Sequence, residues 1–204
     1  MTLTHRQWIL VAAAAVAPLL PLIEARAQHG DNAPLVTHAP REASQYDFLI
    51  GQWEVVVTPK ASGLAQRIHG VPKLRGSWKA ARALDGWGIE DEMRVADASG
   101  NPRAFSHFVR LYDPAQKRWI VSAVDVYRQQ VTQSTAQWLG GEMVSQHDAT
   151  DASGKRSTSR VRIMAITPTS FHYQQDRSDD GGKTWDEGLL VMDAKRIGSS
   201  ASAR

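Results

Sequence analysis

From Trp53 to Asp193 the chain is a succession of short apolar or alternating runs separated by turn residues. Residues 53–58 (WEVVVT) are β-branched and stop at Pro59. Residues 76–84 and 89–96 are parted by Asp85-Gly86, a hairpin dipeptide. Runs over 105–112, 118–125, 127–138, 142–147, 156–166, 171–176 and 184–193 follow. Between them stand Asp97–Pro102 (DASGNP), Asp113-Pro114, Gly140-Gly141, residues 151–155 (DASGK), Thr167-Pro168 and Asp180-Gly181-Gly182. About ten strands at regular spacing with short connections predict an all-β barrel or sandwich. No stretch sustains four turns of helical periodicity, which disfavours a parallel sheet with crossover helices. Consecutive strands on tight turns pair antiparallel, and a meander of this length hides its edges by closing. The expected fold is an antiparallel up-and-down β-barrel of about 8–10 strands.

The ends read differently. His5 and Arg6 precede an apolar run that closes on Ala25-Arg26-Ala27, the three-part pattern of a secretory signal over residues 1–27. Pro18, Pro21 and Glu24 cut that run below the ~20 apolar residues of a membrane span, so no stable anchor is expected after cleavage. Residues 28–45 read as a flexible lead-in, 46–196 as one barrel domain and 197–204 as a disordered tail. The expected location is periplasmic or secreted. The 204 residues contain no cysteine, which excludes disulfides, thiol catalysis and Cys-ligated metals. A formal charge of +3 is too small to imply nucleic acid. The histidines show no ligand spacing, so neither a metal nor another cofactor is expected. A monomer or homodimer is anticipated.

Tyr46–Trp53 (YDFLIGQW) places Gly51-Gln52-Trp53 at the start of the first strand. This G-x-W resembles the lipocalin/calycin signature, which implies a turn-like segment plugging one barrel end above the tryptophan. Together with residues 84–92 (LDGWGIEDE), the Tyr112-Asp113-Pro114 turn before Trp119 and residues 178–185 (SDDGGKTW), the chain resembles a group of bacterial exported lipocalin-like domains of unassigned function. The last segment also resembles the S-x-D-x-G-x-T-W "Asp-box" of sialidase-type propellers. A propeller needs several copies at a fixed period, so the single copy is read as a self-capped turn.

Alternation nominates interior groups. Asp91 shares a face with Ile89, Met93 and Val95; Glu187 with Trp185, Leu189 and Val191; His107 with Phe105, Val109 and Leu111. Tyr173 accompanies Phe171 and Gln175. The long basic connection 60–75 (KASGLAQRIHGVPKLR) is placed over one barrel mouth, with Arg67 and Arg75 as partners for a carboxylate. The expected function is binding of a small apolar or amphipathic molecule, anionic ones included, by Trp53, Arg67, Arg75, Asp91, His107, Tyr173 and Glu187. The alternative is a cofactor-free isomerase, hydratase or lyase using Asp91 or Glu187 as acid or base, with His107 and Tyr173 positioning the substrate. That alternative requires at least two of these groups to converge on one point of the cavity.

Overall fold

A computed structural model describes residues 36–150 and 153–197. The expected signal, the lead-in as far as residue 35 and the tail beyond 197 lie outside the described residues.

Ten strands form one closed antiparallel sheet: β1 Gly51–Pro59, β2 Leu74–Ala83, β3 Gly88–Ala96, β4 Pro102–Asp113, β5 Arg118–Asp125, β6 Gln130–Leu139, β7 Glu142–Thr150, β8 Arg156–Met164, β9 Ser170–Ser178 and β10 Asp186–Arg196. Each pairs with its sequence neighbours, and β10 returns to β1 with Trp53 opposite Arg196. The up-and-down barrel is therefore the observed fold. Its turns follow the expected polar chemistry. The Asp97 carboxylate accepts the Ser99 and Asn101 amides, at 2.9 and 3.0 Å. Asp113 accepts those of Ala115 and Gln116, at 2.9 and 3.1 Å. Such side-chain caps satisfy backbone donors that a tight turn leaves unpaired.

One barrel end is plugged. Residues assigned by the sequence to the lead-in form a 3-10 turn, Arg41–Ser44, with Ala43 buried; a second 3-10 turn spans Asp47–Leu49. Tyr46 between them, Leu49 at the end of the second and Trp53 beyond it are buried in the core. The Trp53 indole donates to the Leu49 carbonyl at 2.7 Å. Arg196 lies over the same ring, 4.1 Å from its centroid. Its guanidinium donates to the carbonyls of Ile50 (2.7 Å), Phe48 (3.2 Å) and Pro168 (2.7 Å), tying the last strand to the plug. Gly51 is required here twice over. Its φ is +129°, and a Cβ would lie 2.2 Å from Arg196 Nη1.

The opposite end carries the β1–β2, β3–β4, β5–β6, β7–β8 and β9–β10 connections. The β1–β2 connection is not purely a loop: Leu64–His69 form a short helix, α1. No described helix is long and apolar enough to cross a membrane. The wall is not zipped throughout. The β6–β7 ladder runs from Leu139↔Glu142 to Thr135↔Gln146 and stops, although both strands continue toward the open end.

Candidate functional site

Inside the barrel lies a cavity of about 280 Å³, near the low end of the roughly 300–1,000 Å³ of small-molecule sites. Its two halves differ chemically. Toward the plug it is lined by Tyr46, Trp78, Phe108, Arg110, Ile163 and Tyr173. Toward the open end, Thr132, Ser134, Ser145, His147, Ser159 and Gln175 replace them, each near the mouth-side end of its strand or midway along it.

The floor is built on a buried ion pair. On β3, Ile89, Asp91 and Val95 are buried, so Asp91 faces inward as its alternation predicts. On β4, Phe108 and Arg110 face inward alongside buried Tyr112. Arg110 Nε and Nη2 donate to the Asp91 carboxylate at 2.5 and 3.0 Å, and the Trp78 indole donates to the same carboxylate at 2.8 Å. Arg110 Nη1 donates to the Tyr46 hydroxyl at 3.3 Å. Three of the five guanidinium N–H groups are thus committed, and two remain. Burial disfavours a charged Arg110 most, but the Asp91 carboxylate and the Tyr46 hydroxyl together outweigh it and hold the pKa above its usual value.

Tyr173 packs edge-on against Trp78, with centroids 6.3 Å apart. Among the described residues its hydroxyl has no hydrogen-bond partner. Burial pushes its pKa up to about 12, against the opposing charge of Arg110, so near neutral pH it is an un-ionised phenol. Burial raises Tyr46 as well. The floor therefore offers donors in an apolar frame: two arginine N–H groups and the tyrosine hydroxyls. Such an array suits an oxygen that only accepts.

Several expected site residues stand elsewhere. His107 is not inward: Phe108 and Arg110 line the cavity, so His107 and Val109 face out, and His107 sits opposite Glu92 in an outer groove beside Lys79. Glu187 is also outside, its side chain 60% exposed, 3.4 Å from Arg160 and 3.7 Å from Arg162. On β10 the inward set is Leu190, Met192 and Ala194, so Glu187 shares the outward face with Leu189 and Val191. Arg75 pairs with Glu54 at 3.2 Å on the outer wall, and Arg67 is exposed on α1. Trp53 is committed beneath the plug. Asp91 lies behind Arg110, with its oxygens taken. Of the expected set, Tyr173 alone presents an uncommitted polar group to the cavity.

Tyr46, Trp78, Phe108, Arg110 and His147 enter instead. Arg110 shares its strand face with Phe108 and Tyr112, and His147 shares one with Met143 and Ser145; those spacings were available in the sequence.

The SDDGGKTW segment caps itself, outside the cavity. Ser178 Oγ accepts the Gly182 amide at 2.8 Å, and Asp180 accepts the amides of Lys183 and Thr184 at 3.0 and 2.9 Å. The Thr184 hydroxyl, at 2.6 Å, leads the hydrogen bonds that depress the Asp180 pKa to about 2. Trp185 lies under Arg160, 4.0 Å from ring to guanidinium.

The fold and its interior define a class: a closed ten-stranded antiparallel barrel, plugged at one end and hollow toward the other. No family model matches the chain, and neither does any curated protein. Among solved structures it is similar to the S-type phycobiliprotein lyase CPES from Guillardia theta, at 12% identity and TM-score 0.49, over 76% of this chain and 92% of the lyase. It is also similar to two redesigned β-barrels bound to DFHBI. One, mFAP0, is 11% identical with TM-score 0.39, over 73% of this chain and 99% of that one. The other, mFAP1, is 14% identical with TM-score 0.38, over 77% and 100%. At such identities the chemistry of the site rests on this chain's own residues.

Proposed function

We propose that the protein is an exported, lipocalin-like binding protein that holds one small amphipathic molecule in its barrel, with an acceptor oxygen, carboxylate or carbonyl, seated on Arg110 and Tyr173. The observation that carries this reading is that the Tyr173 hydroxyl and Arg110, two of whose N–H groups are uncommitted among the described residues, line the same plug-side, largely apolar half of one cavity. A bound acceptor would give these cavity-facing donors a partner, worth about 0.5–1.5 kcal/mol for a typical net hydrogen bond. Export rests on the sequence pattern of residues 1–27. The acid–base alternative receives no support, because Asp91, Glu187, His107 and Tyr173 do not converge: two of them stand outside the barrel.

Titration of the purified chain with decanoate and with decylamine, followed by tryptophan fluorescence, tests the reading. Decanoate is expected to bind, and the cationic amine, which has nothing to offer Arg110, is not. Tyr173→Phe should keep the fold, since it breaks no protein hydrogen bond, and weaken decanoate about three- to tenfold. Equal binding of both amphiphiles, or of neither, refutes the assignment of the floor.

A further inference from the structure

The mouth-side half of the cavity carries a second polar feature. His147 Nδ1 lies 2.8 Å from the Gln133 carbonyl oxygen. A carbonyl only accepts, so Nδ1 carries the proton. In the neutral ring Nε2 is then a bare lone pair, and among the described residues it has no hydrogen-bond partner. The ring also closes the place where the β6–β7 ladder has stopped, one residue beyond the last pair, Thr135↔Gln146. It is thereby fixed from the wall of the barrel while its edge lines the cavity. Ser134 and Ser159 flank it, Ser159 directly opposite across the β7–β8 ladder.

Register gives how far along the wall His147 stands from the level of the floor. Tyr173 is level with Ile163 on β8, and Ile163 with Met143 on β7. His147 lies four residues further along β7, which at strand spacing is about 13 Å. The cavity thus has donors at one end and a fixed acceptor at the other.

Resting on the binding function above, we infer that His147 is a specificity-determining residue: its Nε2 accepts a hydrogen bond from a hydroxyl at the far end of the ligand. The class of ligand is then an elongated molecule with an acceptor head and a hydroxyl about 13 Å away, the reach of a ten-carbon chain. A chain ending in a methyl group leaves the Nε2 lone pair and the neighbouring serine hydroxyls unanswered.

Calorimetric titration of the full chain with decanoate and 10-hydroxydecanoate, for the native protein and for His147→Leu, tests this. The hydroxy acid is expected to bind the native protein about three- to tenfold more tightly than decanoate, the worth of one net hydrogen bond. The preference should vanish or reverse in His147→Leu, while decanoate binding persists. Decanoate binding with no preference, or a preference unchanged in His147→Leu, overturns the inference and leaves the floor assignment standing. Failure of both acids to bind overturns the floor assignment and this inference with it. Imidazole ¹⁵N spectra of the native protein give a second readout that needs no variant. The His147 Nε2 resonance should move on adding 10-hydroxydecanoate and stay in place with decanoate; equal movement refutes the proposal.

Discussion

Replacing Arg110 by methionine tests whether the Asp91–Arg110 pair is as dry and as tightly coupled as the geometry describes. Asp91 is 2% exposed and Arg110 5%. Of three hydrogen bonds to the carboxylate, two come from Arg110 and one from the Trp78 indole. Arg110→Met therefore leaves a buried carboxylate holding a single donor. Removing one partner of such a pair costs about 3–5 kcal/mol, because the orphaned charge stays in low dielectric. For a domain this size each kcal/mol shifts Tm by about 2–4 °C, so the expected fall is about 6–20 °C. Adding Asp91→Asn to that variant removes the stranded charge and keeps an acceptor for Trp78. The double variant is expected to be more stable than Arg110→Met alone, a second substitution acting as a rescue. Urea denaturation followed by circular dichroism gives all four corners of the cycle. A loss below about 1 kcal/mol for Arg110→Met, too small for an orphaned buried charge, refutes the reasoning. So does a double variant no more stable than that single one: the carboxylate would then be solvated and the floor wet.

Arg196→Met should destabilise by about 2–3 kcal/mol, since it removes two charge-assisted bonds to plug carbonyls, a third to Pro168 in the β8–β9 turn, and the stack on Trp53; hydrogen exchange should show the Trp53 indole opening faster, and unchanged exchange would detach Arg196 from the plug. Gly76→Ala should cost about 1–3 kcal/mol, because a Cβ there would stand 2.0 Å from the Arg94 carbonyl oxygen; an unchanged urea midpoint would contradict the β2–β3 approach. The Asp180 pKa falls from 3.8 to about 2 on folding, chiefly through the Thr184 hydroxyl. Its contribution is therefore complete above the unfolded value and lost as pH drops through the folded one. Asp180→Asn should flatten the decline in stability between about pH 5 and about pH 2, and an identical acid profile for both proteins would deny the capped turn.

Strand number, closure and turn chemistry were legible in the sequence because each follows from a local rule. Asp97 and Asp113 cap turns wherever they stand, and alternation with a short connection forces antiparallel pairing. What the pattern misassigned was the inward face of β4 and of β10. On β4, Phe105, Val109 and Leu111 formed the more apolar set, yet Leu111 is 37% exposed and the inward set holds an arginine. On β10 both faces carry apolar residues, Leu189 and Val191 outward against Leu190, Met192 and Ala194 inward, so a count of apolar residues does not choose between them. Tyr46 was hidden for another reason: it reaches the cavity from between two 3-10 turns, where period-2 reasoning has no purchase.

These departures concentrate at the floor, and stability alone does not account for them. A buried ion pair is often matched or exceeded by apolar residues of similar volume, and this barrel already has Trp78, Phe108 and Ile163 at the same level to supply them. The pair does something an apolar set would not. By occupying Nε and Nη2, Asp91 fixes the plane of the guanidinium, and Tyr46 holds Nη1 from the plug side. The remaining N–H groups are left oriented before any ligand arrives, next to a Tyr173 hydroxyl that burial keeps protonated. Preorganised donors lose little ordering entropy on binding. The residues that violate the apolar-inside rule here are the ones that turn a hollow barrel into a site with polarity and direction.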